Sequence, residues 1–131
     1  MKTLIAEDDF TSRMLLQALL QPYGICHTSV NGKEAVQAVA SALASGEPYN
    51  LICLDIMMPE MDGQTALKEI RALEDKKGIL SSDGVKIIMT TALGDKTNIM
   101  SAFKEQCDAY LVKPIEKNNL IENLKKLGFI Q

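Results

Sequence analysis

The sequence predicts an α/β fold in which a parallel sheet is covered by helices on both faces. Short apolar runs and amphipathic stretches alternate from one end of the chain to the other. The run Leu51-Ile52-Cys53-Leu54 contains no polar residue, which is typical of a strand buried on both faces. Strict alternation of five strands with five helices implies parallel strands joined by right-handed crossovers. The length of 131 residues fits a single domain.

The first half of the chain contains three predicted strands separated by two predicted helices. Leucines at helical spacing predict the first helix over residues 11–21, and Pro22 and Gly24 end it. The pair Asn31-Gly32 is typical of a turn and helix start, and the apolar spacing that follows predicts a second helix that ends near Gly46. The three strands are Leu4 to Ala6, Ile25 to Val30 and Leu51 to Leu54.

The second half continues the same alternation. A loop containing Pro59 leads to a third helix that passes through Ile70, and a fourth helix begins near Asp95, a residue favoured at helix N-caps. A final helix ends at Gly128, where a glycine cap is expected. The polar stretch from Glu74 to Gly84 is rich in turn formers and predicts a long surface loop. The two strands are Val85 to Met89 and Ala109 to Val112.

The composition argues against several classes of function. A net charge of −3 disfavours non-specific nucleic-acid binding, which requires clustered positive charge. No apolar run is long enough to span a bilayer and the N-terminus lacks a secretory signal, so we expect a cytoplasmic protein without membrane insertion. Cys26, Cys53 and Cys107 are too scattered for a zinc site or a disulfide framework. His27 is the only histidine, which leaves a Ser-His-Asp triad without support.

The predicted strands end on residues that suit metal and phosphoryl chemistry. These residues are Glu7 and Asp8 after the first strand, Asp55 after the third, Thr91 after the fourth and Lys113 after the fifth. The fold gathers the carboxyl ends of parallel strands at one edge, where ligands bind. Crowded carboxylates repel one another unless they bind a proton or a cation, and Mg²⁺ prefers such oxygen ligands. A hydroxyl and an ammonium group are suitable partners for phosphoryl oxygens, and carboxylates form aspartyl phosphates.

Four segments of the chain resemble the response-regulator receiver domains of two-component signal transduction. They are Leu4 to Asp9, Leu54 to Gly63, Thr91-Ala92 and Tyr110 to Pro114. The resemblance covers essentially the whole chain and implies a flavodoxin-like fold with strand order 2-1-3-4-5, for which a member of this family is a standard example. It also implies one receiver domain over residues 1–131. We expect a stand-alone domain with no effector domain.

The resemblance implies a phosphoacceptor rather than an enzyme. Asp55 would accept a phosphoryl group from a sensor histidine kinase or a histidine phosphotransfer protein. Asp8 would bind Mg²⁺ directly, and Asp55 and the backbone carbonyl of Met57 would complete the protein ligands, with Mn²⁺ as a possible substitute. Glu7 stands where aspartate is commoner in the family and would bind the metal through water.

The remaining functional residues implied by the resemblance hold the phosphoryl group or transmit the signal. Thr91, the Ala92 amide and Lys113 would bind phosphoryl oxygens, Tyr110 would change its packing as Thr91 moves, and Pro114 would be cis. An unknown downstream protein would read the modified surface of a monomer or a weak, phosphorylation-dependent dimer. The expected output surface comprises Lys96, Met100, Lys104, Tyr110, Lys117 and Asn118.

Alternative interpretations apply to single residues. Asp9 is better explained as a helix cap than as a metal ligand. Tyr110 could be an ordinary packing residue, because half-buried aromatic residues on strands usually are. An aspartyl-phosphate phosphatase would need an acid two positions after Asp55, where Met57 stands, and a pseudo-receiver would not need the site at all. The resemblance implies that Met57 and Leu93 flank the route of the water that hydrolyses the phosphate. Since neither side chain can orient that water, we expect slow to moderate self-dephosphorylation.

Overall fold

The computed structural model of the protein describes residues 1–80, 82–92 and 106–131. Five parallel strands form one sheet in the order β2-β1-β3-β4-β5. This confirms the predicted class, the parallel pairing and the strand order. The strands are β1 (Lys2–Ala6), β2 (Ile25–Ser29), β3 (Leu51–Asp55), β4 (Lys86–Thr91) and β5 (Ala109–Val112).

Three of the four described α-helices begin at short polar side chains that bind free backbone amides; in the last helix the N-cap Glu116 makes no such hydrogen bond. Asp9, Asn31 and Asp62 each accept a hydrogen bond from the amide three residues later, at 2.8–2.9 Å. This geometry confirms Asp9 as a helix cap, and the hydrogen bond from the Ser12 amide lowers the pKa of Asp9. The helices are α1 (Phe10–Leu20, followed by a 3-10 turn at Gln21–Tyr23), α2 (Gly32–Ala44), α3 (Gly63–Lys76) and α4 (Lys117–Lys126). The helix predicted from Asp95 lies outside the described residues.

Apolar side chains of the strands alternate between two cores, one on each face of the sheet. On one face, Leu54 and Met89 belong to a core that includes residues of α2 and α3. On the other face, Ile5, Cys53 and Ile88 belong to a core that includes residues of α1 and α4. Strand β3 is buried along its whole length, as its unbroken apolar run predicted. This alternation also decides on which face each side chain at the strand ends begins.

The prediction of a loop from Glu74 to Gly84 was wrong at its beginning. Helix α3 continues to Lys76, and the Glu74 side chain is buried. The Glu74 carboxylate accepts a hydrogen bond from the Val85 amide at 2.7 Å and from Arg71 at 2.8 Å. A buried carboxylate is stable when it is paired. The helix therefore continues through Glu74, although the polar sequence of this stretch is typical of a surface loop.

Candidate functional site

Three polar residues form a row across the sheet at its carboxyl edge. Asp55 pairs with Thr90 in the register of β3 and β4, and Glu7 follows Ala6, which pairs with Leu54. Neighbouring residues in a parallel sheet place their side chains on the same face. Glu7, Asp55 and Thr90 therefore begin on the face that is covered by α1 and α4. All three residues are at least 97% buried.

The carboxylates of Glu7, Asp8 and Asp55 form a group that can hold a cation. One oxygen from each lies within 4.8 Å of the others. Glu7 and Asp55 are buried whereas Asp8 is exposed, so the group is open to solvent on one side. Glu7 Oε1 is buried and accepts no hydrogen bond of good geometry from the described residues, although it lies 2.7 Å from Lys113 Nζ. Three crowded carboxylates are hard oxygen donors, and such a group fits a divalent cation such as Mg²⁺.

The Lys113 ammonium lies between the two buried carboxylates. Its Nζ is 2.7 Å from Glu7 Oε1 and 3.2 Å from Asp55 Oδ2. Burial alone would lower the pKa of Lys113, but the neighbouring Glu7 and Asp55 carboxylates raise it above its ordinary value. The Lys113 amide donates to the Thr91 carbonyl at 2.7 Å, and the peptide bond to Pro114 is cis, as predicted. Lys113 is therefore a fixed positive charge in the site.

The Asp55 carboxyl has a strongly perturbed pKa. Burial is the main cause of the shift, and the Glu7 carboxylate adds to it, whereas Lys113 opposes it. Together these effects raise the pKa of Asp55 to about 8. A protonated carboxyl is neither a nucleophile nor a good metal ligand. A bound cation would favour the ionised form and so activate Asp55.

Two residues that the sequence interpretation missed hold the acidic residues in place. Arg13 Nη1 donates to the backbone carbonyls of Glu7 at 2.9 Å and Asp8 at 3.3 Å, which ties the loop after β1 to helix α1. Gly63 packs against β3 so closely that a Cβ there would lie 2.1 Å from the Asp55 carbonyl oxygen. Arg13 is six residues after Glu7, which is not a helical spacing, so no local pattern predicted the first contact; the second depends on packing alone.

Thr91 and Ala92 lie at the end of β4 as predicted. Thr91 is buried, and its hydroxyl donates to the Ala92 carbonyl over a long distance of 3.4 Å. Because Thr91 follows Thr90, its side chain begins on the opposite face from Asp55. The Thr91 hydroxyl must therefore rotate or shift if it is to contact a phosphoryl group on Asp55.

The other predicted residues occupy the rim of the site and the far edge of the sheet. Met57 is 63% exposed, and its amide points to Asp55 Oδ1 at 3.4 Å. Tyr110 is 45% exposed on the edge strand β5, and Lys117 and Asn118 are exposed in the first turn of α4. Leu93 and three residues of the predicted output surface lie outside the described residues; these three are Lys96, Met100 and Lys104.

The five-stranded parallel sheet, with acids and a lysine at its carboxyl edge, defines the class of response-regulator receiver domains. The chain belongs to this family, because the family model "Response regulator receiver domain" matches residues 3–125. The family identifies the chain as a signalling module of two-component systems. Among the residues that the structure describes, no helix combines the length and the apolar character that crossing a membrane requires.

Curated relatives contain this domain within longer proteins. The chain is 34% identical over 128 residues to hybrid signal transduction histidine kinase L of Dictyostelium discoideum, covering 97% of this chain and 7% of that protein. It is also 34% identical over 125 residues to the transcriptional regulatory protein SrrA of Staphylococcus aureus, covering 95% of this chain and 46% of that protein. The chain thus spans less than half the length of these relatives.

Solved structures of receiver domains have the same fold. One is the receiver domain of a Pseudomonas aeruginosa sensor histidine kinase with a magnesium ion coordinated in its active-site cleft, at 25% identity, a TM-score of 0.76 and coverage of 96% of this chain and 95% of that one. Another is the receiver domain of the Saccharomyces cerevisiae response regulator Ssk1 in complex with a histidine phosphotransfer protein, at 26% identity, a TM-score of 0.80 and coverage of 98% and 88%.

Proposed function

We propose that the protein is a Mg²⁺-dependent phosphoacceptor switch whose acceptor is Asp55. The observation that carries this proposal is the position of the Asp55 carboxylate, buried between the acids Glu7 and Asp8 and the ammonium of Lys113. The donor would be a phosphohistidine on a sensor histidine kinase or a histidine phosphotransfer protein. The yeast complex with a phosphotransfer protein supports this choice of donor.

Glu7, Asp8 and Asp55, together with the backbone carbonyl of Met57, would hold the metal. When bound, Mg²⁺ would neutralise the charge shared by the carboxylates and the phosphoryl oxygens. Asp8 is the exposed acid of the group and is accessible to a hydrated ion. Glu7 is buried and tied to Lys113, which suits a contact through water better than a direct bond.

The transfer needs few changes in this site. One Asp55 oxygen forms the bond to phosphorus while the P–N bond of the donor breaks, and the bonding electron pair stays on the imidazole nitrogen, which takes up a proton. Lys113 already lies within 3.2 Å of Asp55 and would move to a phosphoryl oxygen. The Thr91 hydroxyl and the Ala92 amide would bind the other oxygens. Positioning and charge neutralisation are the main requirements of this reaction.

Exposed apolar side chains near the acidic group favour a protein as phosphodonor. Phe10 is 66% exposed and Met14 is 48% exposed on α1, and Met57 is 63% exposed two residues after Asp55. Such side chains beside a charged site suit a docking surface.

The modified domain would then act on an unknown downstream protein through a surface that includes the exposed Tyr110 and Lys117. Phosphorylation would shift the equilibrium between two states of this surface.

The direct test uses a small phosphodonor. The protein is incubated with phosphoramidate and Mg²⁺, and its intact mass is measured. We expect the gain of one phosphoryl group, which is lost in Asp55→Asn and in the presence of EDTA but kept in Asp75→Asn, an exposed acid on α3. A folded wild-type protein that gains no mass would refute the proposal and favour a pseudo-receiver.

The lifetime of the phosphoryl group provides a second test. Met57 is apolar and exposed two residues after Asp55. By resemblance to receiver domains it would flank the route of the hydrolytic water, which its side chain would not orient. We expect slow to moderate self-dephosphorylation in the wild type and faster loss in Met57→Asn, measured by intact mass after the donor is removed. A lifetime of seconds that Met57→Asn leaves unchanged would contradict this expectation.

A further inference from the structure

The turn that follows β1 carries Asp8, the exposed member of the acidic group. Glu7 and Asp55 are buried, so packing sets their positions, whereas packing cannot hold the exposed Asp8. A ligand that is free to move must be ordered when a metal ion binds, and this ordering costs free energy. The site therefore gains affinity if hydrogen bonds hold the Asp8 backbone in advance.

The Arg13 guanidinium binds both peptide groups that flank Asp8. Its Nη1 donates to the Glu7 carbonyl at 2.9 Å and to the Asp8 carbonyl at 3.3 Å. The Glu7 carbonyl belongs to the peptide group before the Asp8 Cα, and the Asp8 carbonyl belongs to the one after it. Because each peptide group is planar, fixing both of them restricts the two backbone dihedral angles of Asp8. Hydrogen bonds from a charged donor are also stronger than those between neutral groups.

Neighbouring groups hold the turn and Arg13 itself. The Asp9 amide donates to Glu7 Oε2 at 3.1 Å, so the peptide group between Asp8 and Asp9 is bound at both its amide and its carbonyl. The Arg13 guanidinium carbon lies 5.6 Å from the centre of the Phe10 ring, which is close enough for a cation–π contact. The guanidinium is thus held on one side by an aromatic ring of its own helix and on the other by the turn.

We propose that Arg13 is a positioning residue for the metal site, whose hydrogen bonds fix the Asp8 backbone and so strengthen the binding of Mg²⁺. The inference rests on the function proposed above and adds to it a residue that acts through the backbone of Asp8. The charge of Arg13 acts in the opposite direction, because a positive charge beside a cation site repels the ion. Removal of Arg13 would therefore strengthen Mg²⁺ binding if charge alone mattered.

The test measures Mg²⁺ affinity in Arg13→Met, which removes the hydrogen-bond donors and the charge. Wild type, Arg13→Met and Arg13→Lys are titrated with Mg²⁺ in a calorimeter at the same ionic strength. We expect the dissociation constant to rise about three- to ten-fold in Arg13→Met, because part of the free energy of ordering one backbone residue then opposes binding. Arg13→Lys keeps the charge and a donor group, so it should recover part of the loss.

Arg71→Met is the matched control, because Arg71 also donates to two backbone carbonyls. These are the carbonyls of Val85 and Gln106 at the amino edge of the sheet, opposite the acidic group. The control should lose stability in urea denaturation but bind Mg²⁺ like wild type, and Arg71→Lys replaces it if Arg71→Met does not fold. A control that binds Mg²⁺ as weakly as Arg13→Met would show that lost stability alone lowers the affinity, and the inference would fall.

Phosphorylation by phosphoramidate separates metal binding from the chemical step. The rate is measured by intact mass over a range of Mg²⁺ concentrations. For Arg13→Met we expect the Mg²⁺ concentration at half-maximal rate to rise by the same factor as the dissociation constant. The rate at saturating Mg²⁺ should stay within about two-fold of wild type, because Arg13 positions a metal ligand and not the phosphoryl group.

Two further results would overturn the inference. The first is a Mg²⁺ affinity in Arg13→Met that equals or exceeds that of wild type, which is the result that charge alone predicts. The second is a slow reaction of Arg13→Met that saturating Mg²⁺ does not restore. If the wild type binds no Mg²⁺, the proposed function fails and this inference fails with it. If the wild type binds Mg²⁺ and is phosphorylated while Arg13→Met does both equally well, only the inference fails.

Discussion

Raising the pH should destabilise the metal-free protein through Asp55, and Mg²⁺ should oppose this effect. The pKa of Asp55 is raised from 3.8 to about 8 in the folded protein. Below pH 3.8 Asp55 is protonated in both the folded and the unfolded state, so it contributes no pH dependence. Between the two pKa values the unfolded state ionises while the folded state keeps its proton, and the free energy of unfolding falls. Above the folded pKa the loss is complete.

The size of the stability loss follows from the pKa shift of Asp55. Each pH unit between the two pKa values lowers the free energy of unfolding by up to about 1.4 kcal/mol. From about pH 5 to pH 8 the wild type should therefore lose up to about 4 kcal/mol relative to Asp55→Asn. The asparagine also changes the contact with Lys113, but that change gives an offset that is nearly constant over this range. The difference in slope isolates the ionisation of Asp55.

Urea denaturation followed by far-UV circular dichroism measures this difference. Wild type and Asp55→Asn are unfolded at several pH values with EDTA and again with excess Mg²⁺. We expect diverging curves in EDTA. Mg²⁺ at about one hundred times its dissociation constant should add about 2.7 kcal/mol to the wild type. This gain should be larger at pH 8 than at pH 5, where a proton must first leave Asp55.

Two results would refute this reasoning. Parallel stability curves for wild type and Asp55→Asn in EDTA would show that Asp55 ionises normally in the folded protein. Equal stabilisation of both proteins by Mg²⁺ would show that the ion does not bind through the Asp55 carboxylate.

Three further predictions concern packing around the site and elsewhere in the sheet. Glu74→Ala should lower the free energy of unfolding by about 2–4 kcal/mol in urea denaturation, because the buried Val85 amide loses its acceptor, whereas Glu74→Gln should lose less. Gly63→Ala should destabilise the protein and slow phosphorylation by phosphoramidate, because its Cβ would lie 2.1 Å from the Asp55 carbonyl oxygen. Burial raises the pKa of the Cys53 thiol to about 12, so peptide mass mapping after alkylation at neutral pH should find Cys53 modified only in the unfolded protein.

Much of the site could be predicted because it follows from local patterns and one rule of topology. Parallel strands bring their carboxyl ends to one edge, and the sequence shows where each strand ends. Glu7, Asp55 and Lys113 lie far apart in the chain, yet the structure brings their charged groups into contact.

The sequence by itself determined the order of the elements, the helix cap at Asp9, the fully buried strand β3 and the acidic edge of the sheet. These features depend on periodicity and on residue types a few positions apart. Tertiary structure alone decided the end of α3, where Glu74 is held by Val85 across a turn. It also decided that Thr90 and Thr91, adjacent and chemically identical, begin on opposite faces of the sheet. Strand register and packing set both outcomes, because they depend on partners that no local pattern specifies.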